Sequence, residues 1–544
     1  MTMLTGGEAV VRMLLDQGVD TLYALPGVQN DALYNALFDA GDAIRVIHTR
    51  HEQGAAYMAL GAALSTGKPA VYNVVPGPGV LNTFAALATA FSTNAPVFCL
   101  TGQIKSPYIG RGLGLLHELP DQLGLMRGLT KWAARINAPA EVPSLISEAF
   151  VQMTTGRPRP VAVEVPPNVL ETRAAVDLGA KRTAPPSPPI DPEAIAQAAR
   201  LLANSKNPMI IVGGGALDAS AEVQQLAELL QAPVVANRMG LGVLSSRHEL
   251  SLRQADAHQL WAKVDVVLAV GTRLYEPLVQ WGYDKQLSVI RIDIDATEHD
   301  RVVAPTVGLV ARSDEALREL IPAVERLVSK RPSRREELAA LRAEMARRMA
   351  YLEPQLSFVR VLREELPDDG FFVDEMTQVS YVARYAFPVY QPRTFVGVGY
   401  QGTLGWGFAT ALGVKAAHPD RAVLSVNGDG GLMFTIQELA TAVQHKLNVV
   451  SIVFNDNAYG NVQRAQRHEY DNRVIASRLY NPDFVKLAES FGAQGLRATT
   501  PDELRIALRQ GFAANVPTLI EVPVGEMPNP WPMLLNLPRV RPAL

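Results

Sequence analysis

The stretch that most constrains the fold runs from Arg421 to Asn461, RAVLSVNGDGGLMFTIQELATAVQHKLNVVSIVFNDNAYGN. Ala422 to Val426 is a short apolar run of the kind that forms a buried parallel strand. Asn427-Gly428-Asp429-Gly430-Gly431 then makes a turn that only residues without a Cβ allow. Leu432, Ile436, Leu439 and Val443 follow at helical spacing, so one continuous helix is expected. A second buried run, Val449 to Phe454, ends in Asn455-Asp456-Asn457. Parallel strands end on the same edge of their sheet, which lets Asp429 and Asp456 meet there. Two carboxylates beside the free N–H groups of a helix start suit a divalent cation carrying a diphosphate.

This pattern resembles the thiamine diphosphate (ThDP) motif, a GDG followed at a fixed distance by an Asn pair. The 27 residues from Asp429 to Asp456 match the family's spacing between two metal-binding side chains. The family has Asn-Asn where this chain has Asn455-Asp456, which adds one negative charge beside the metal. The resemblance implies Mg²⁺ on Asp429, Asp456 and the Ala458 carbonyl. It implies a diphosphate on the N–H groups of Gly430 and Gly431, with Gly428, Gln378, Tyr459 and Gly460 around it.

A chain of 544 residues is too long for one core and predicts about three domains. With 48% apolar and 19% charged residues it has the make-up of a soluble globular protein. A net charge of −3 argues against a nucleic-acid or membrane-surface partner. Cys99 is the single cysteine, so no intramolecular disulfide can form, which fits a reducing cytoplasm. The first twenty residues lack the basic start and apolar block of a secretory signal, and no apolar run approaches membrane-spanning length. A cytoplasmic location is expected.

Residues 1–175 alternate short apolar runs with helical periods, as βαβ units do. The Pro-rich stretch from Arg182 to Pro192 reads as a linker, residues 190–330 as a central α/β domain, and the basic run from Ser329 as a second linker. Residues 355–525 form the third α/β domain, and 526–544 a tail expected to lie over another surface. A shift of 352 places Leu60-Gly61 on Leu412-Gly413, Val71 on Val423, Gly79 on Gly431 and Leu87-Ala88-Thr89 on Leu439-Ala440-Thr441. The expected fold is therefore α/β: three doubly wound parallel-sheet domains, the first and third related, around an unrelated middle one. This pyrimidine/middle/diphosphate order is similar to that of the acetolactate synthase and pyruvate oxidase group.

In that group a glutamate just past a first-domain strand bonds the cofactor's pyrimidine ring. Here Val46-Ile47-His48-Thr49-Arg50-His51-Glu52-Gln53-Gly54-Ala55 resembles the family segment, and Glu52 matches the catalytic Glu. Tyr400-Gln401-Gly402-Thr403-Leu404-Gly405 resembles the segment that bends the cofactor, with Leu404 as the wedge in place of Met and the Gly402 carbonyl as acceptor. Pro26 joins the cofactor-binding set. Because the Glu and the metal come from different domains that the family faces together across subunits, a homodimer or homotetramer with interfacial sites is implied.

After decarboxylation of a 2-oxo acid, the acyl group can attack a second carbonyl, take a proton or be oxidised. Oxidation in relatives uses FAD on the middle domain. Met239-Gly240-Leu241-Gly242 fits the acetolactate type, but Leu252-Arg253-Gln254-Ala255-Asp256-Ala257 lacks the glycine-rich pattern that lines a flavin, which argues against FAD. Leu116-His117-Glu118 stands where the family has Phe-Gln-Glu, making His117 a candidate catalytic proton donor facing substrate. Asn461, Val462 and Ala465 take the substrate-pocket positions of the family's Met, Val and Trp, and Gln29 points into the same space. Ala465 in place of Trp widens the acceptor pocket. The reading is an acyloin-forming carboligase for 2-oxo acids with a non-standard, diketone-like acceptor. The alternatives are a 1,2-dione hydrolase or lyase and a simple 2-oxo acid decarboxylase. From another class, Gly213-Gly214-Gly215 after a strand allows a nicotinamide-dependent oxidoreductase, though it is not GxGxxG.

Overall fold

A computed structural model describes residues 1–542. Runs such as Val161–Val165 and Val266–Val270 are buried along their whole length, as strands covered by helices on both faces must be. They assemble into three six-stranded sheets, each parallel throughout. Counting strands in chain order within each unit, the first sheet runs 2-1-3-4-6-5 and the third repeats 2-1-3-4-6-5. The middle sheet runs 3-2-1-4-5-6. The outer domains therefore share a topology that the middle one does not. An antiparallel ribbon of Thr2–Thr5 with Arg173–Val176 closes the first domain.

The outer domains pack on each other through the helices Glu52–Thr66 and Gly407–Ala417. A Cβ on Gly61 would fall within 3.0 Å of the Thr410 carbonyl, and one on Gly413 within 3.0 Å of the Met58 carbonyl. The shift of 352 turns Gly61 into Gly413 and Met58 into Thr410, so each contact is the image of the other. The two copies thus meet around a local twofold axis, and one apolar core holding Tyr57, Trp406 and Phe408 is shared between them.

The helix expected after Gly431 is broken. It runs as Asp429–Leu432, a turn, Ile436–Glu438 and Leu439–Gln444. The turn faces the first domain, where the Phe434 carbonyl accepts from Gln53 Nε2 at 2.7 Å, and within its own domain Thr435 Oγ1 donates to the Gly405 carbonyl at 3.3 Å. Interdomain bonding overrides the local apolar period. The stretch from residue 182 to 191 has no regular structure, and Asp191 caps the helix Pro192–Asn204. The tail crosses from the third domain to the middle one. The Met527 N–H donates to Gln378 Oε1 at 2.8 Å, His258 Nε2 bonds the Pro538 carbonyl at 2.7 Å, and Arg541 pairs with Asp284 at 2.7 Å. Among the described residues, no helix is long and apolar enough to cross a membrane.

Candidate active site

Strands Val423–Gly428 and Val450–Asn455 are neighbours, with Gly428 level with Phe454. Asp429 and Asp456 therefore leave the same edge, and their carboxyl groups come within hydrogen-bonding reach. Asp429 is 2% exposed and accepts from Asn481 Nδ2 at 2.6 Å. Asp456 accepts from Gln378 Nε2 at 3.0 Å and from the Ala458 N–H at 3.2 Å. Burial raises both carboxyls above the usual carboxylate range, and the charge of Asp429 adds to the rise at Asp456. A cation between them would relieve that repulsion, so the donor set suits Mg²⁺.

The neighbouring turn is a cradle that a side chain would fill. A Cβ on Gly430 would meet the Tyr459 ring at 2.7 Å, and one on Gly431 would collide with the Glu375 carboxylate. Gly428 is the N-cap of the short helix at Asp429, and Gly460 opens the helix Gly460–His468. Gln378 is tied to its surroundings: Nε2 also donates to the Gly525 carbonyl, and Oε1 accepts from Arg464 and Met527.

Glu52 starts its helix, with His51 as N-cap. Its Oε2 accepts from Asn82 Nδ2 at 3.0 Å, and Gly79 lies against Oε1. Two residues before Gly79, Gly77 packs on the His117 backbone, and its N–H donates to Gln122 Oε1 at 2.9 Å. Gln122 and Gln103 both donate to Glu164, a fully buried carboxylate paired with Arg135. This network holds the Pro76–Gly79 loop between Glu52 and His117. Gln29 joins the same group: its Nε2 donates to the Leu116 carbonyl at 3.2 Å, and its Oε1 faces His117 Nδ1 at 3.0 Å. Glu118 turns away and accepts from the Gly112 and Leu115 N–H groups. Pro26 is exposed at the edge of this cluster.

Gly402 has φ +59° and Leu404 is half-buried. Behind them Glu375, wholly buried, accepts from the Gly405 N–H at 2.6 Å. Burial pushes its carboxyl up to about 8. Asn461 and Val462 are exposed, Ala465 is half-buried, and Asn461 Oδ1 accepts from Trp531 Nε1 of the tail at 3.1 Å. Asn82, Glu375, Glu438 and Asn481 escaped the sequence reading. Only Asn82, three residues past the glycine turn that carries Gly79, had a local signal.

Gln53 bonded to Phe434, and Glu438 bonded to the Arg50 and His51 N–H groups, link the Glu52 cluster to the segment that follows Asp429. A cavity of about 980 Å³ lies apart from both clusters, between the middle domain and the outer ones. It opens where the middle sheet reverses order, over Gly214, Gly215, Thr272 and Arg273. Leu252, Arg253 and Gln254 border it, with Arg253 fixed to the Ala386 carbonyl and Gln254 to Glu276.

Three family models match. The N-terminal TPP binding domain of thiamine pyrophosphate enzymes covers residues 4–125, the central domain 195–320 and the C-terminal TPP binding domain 375–522. The chain is 35% identical to a protein described as a probable 2-ketoarginine decarboxylase of Pseudomonas aeruginosa, over 95% of this chain and 94% of the relative. It is 32% identical to a probable acetolactate synthase large subunit of Methanocaldococcus jannaschii, over 95% and 92%. It is 31% identical to the acetolactate synthase isozyme 1 large subunit of Escherichia coli, over 97% and 96%.

Proposed function

Because this chain belongs to the thiamine pyrophosphate enzymes, a family whose members here act on 2-oxo acids, we propose that it decarboxylates a 2-oxo acid with ThDP and Mg²⁺ and that His117 protonates the product. The observation that carries this reading is the 3.0 Å contact of His117 with Gln29, against the Pro76–Gly79 loop that also borders Glu52. Gln29 Nε2 is spent on the Leu116 carbonyl, so its Oε1 is the acceptor and His117 Nδ1 carries a proton. That leaves Nε2 of the imidazole free to take or give a proton in the pocket.

Asp429, Asp456 and the Ala458 carbonyl would hold the metal, and the Gly430 and Gly431 N–H groups the diphosphate. Gly428, Tyr459 and Gly460 would close around it, and Gln378 would orient Asp456. Pro26, the Gly402 carbonyl and Leu404 would hold the rings. When bound, ThDP supplies a nucleophilic carbon that adds to the ketone and takes up the electron pair left by CO₂. Glu52 would hold a proton against the pyrimidine ring, with Asn82 fixing which carboxylate oxygen faces it. The net change consumes one 2-oxo acid and one proton and yields an aldehyde and CO₂, the proton passing from His117 Nε2. The active unit is a homodimer or homotetramer whose sites join two subunits. This decarboxylation needs no flavin, and Leu252 to Ala257 lacks the glycine-rich pattern that lines one in relatives.

Carboligation is the second reading, favoured by the likeness to acetolactate synthases. There the acyl group passes to a second carbonyl beside Asn461, Val462 and Ala465, and the one proton consumed goes to the new alcohol oxygen rather than to carbon. Purified protein with ThDP and Mg²⁺ is incubated with single 2-oxo acids, then with an added diketone, and the products are identified. Aldehyde alone is the expected result, and an acyloin-type product selects carboligation. A 1,2-dione cleaved while every 2-oxo acid stays intact contradicts both.

A further inference from the structure

Glu438 is fully buried on the third domain, nine residues after Asp429, yet its carboxylate works on the first domain. Oε1 accepts from the His51 N–H at 3.0 Å. Oε2 accepts from the Arg50 N–H at 3.1 Å and from Thr441 Oγ1 at 2.6 Å. These amides immediately precede Glu52. The fit is tight: a Cβ on Gly54 would stand 2.5 Å from Glu438 Oε1.

The local twofold axis supplies an internal comparison. Under the shift of 352, His51 corresponds to Thr403, Thr441 to Thr89, and Glu438 to Ala86. On the image side Thr403 and Thr89 bond each other directly at 2.8 Å, with no carboxylate between them. On the Glu52 side the corresponding pair, His51 and Thr441, is bridged by Glu438. The two copies need only equivalent packing, and the Thr–Thr contact provides it. A carboxylate reaching across from the other domain is found only at the turn that carries Glu52; the image turn is held by Glu375 of its own domain, at the Gly405 N–H.

We propose that Glu438 is a positioning residue. From the segment that follows the metal-binding turn, it clamps the Arg50–His51 backbone and so fixes where the Glu52 carboxylate stands. The proposal rests on the proton-holding role given above to Glu52. Two amide N–H groups converge on Glu438, and a glutamine can accept from only one of them without presenting its own N–H₂ to the other. Glu438→Gln therefore frees one end of the turn while keeping volume.

The test follows hydrogen–deuterium exchange at C2 of thiamine diphosphate, bound with Mg²⁺ to the full-length protein in D₂O, by acid quench and proton NMR. Cofactor affinity is measured alongside. Glu438→Gln is expected to slow exchange by about 10²-fold, the scale of a misplaced catalytic group, with affinity held within a few-fold. Exchange at the wild-type rate, or exchange and affinity lost in proportion, overturns the proposal. If Glu438→Gln does not fold, Thr441→Val decides, because it removes one donor and leaves both amides. Slower exchange at unchanged affinity supports the clamp, and wild-type exchange overturns it. Glu52→Gln separates the two claims: if it abolishes exchange while the clamp variants do nothing, the clamp alone falls. If it leaves exchange at the wild-type rate, the role of Glu52 falls and the clamp with it.

Discussion

Glu375 shows what burial does to a single side chain. Its carboxyl, raised from 4.5 to about 8, keeps its proton in the folded chain at neutral pH while the unfolded chain has released it. The contribution is full below pH 4.5 and is lost as pH rises toward about 8. Glu375→Gln, which mimics the protonated acid, removes this slope. Denaturant unfolding at several pH values should show the variant gaining on the wild type across that window and holding a constant difference above it. Glu52, Asp429 and Asp456 were legible because they stand in short motifs whose chemistry demands those residue types. Glu375, Glu438 and Asn481 were not, because each acts on backbone or side chains that only folding brings near. A lone buried Glu has no pattern.

At the scale of elements, the close crossing of helices Glu52–Thr66 and Gly407–Ala417 depends on two glycines that face backbone rather than flexible side chains. Gly413→Ala should therefore cost about 1–3 kcal/mol or more by overpacking, read by urea unfolding. A loss near zero would mean that the two domains can separate at that seam. The repeat behind this crossing was visible in the sequence, since the same shift aligned Leu60-Gly61 with Leu412-Gly413. The break after Leu432 was not visible. Its apolar residues keep helical spacing, and the bond of Gln53 to Phe434 crosses between domains far apart in the chain. Periodicity reports burial, and here burial is kept without a continuous helix.

Across the whole molecule, two domains of one topology face each other, the middle domain sits beside them, and the tail ties it to the third. The division of labour follows from this arrangement. The third domain offers paired acids and a glycine cradle, and the first offers Glu52 and His117. Alternating strand and helix patterns made the three sheets readable, whereas the path of the tail could not be read from a Pro-rich segment. The most direct measurement of the central claim is CO₂ release from a panel of 2-oxo acids by the wild type and by Glu52→Gln, with ThDP, with and without a chelator of Mg²⁺. Release by the wild type should require both cofactor and metal and should fall by about 10²–10⁴-fold in Glu52→Gln. Release that survives chelation or proceeds at full rate in Glu52→Gln would contradict the account, as would a panel left wholly untouched.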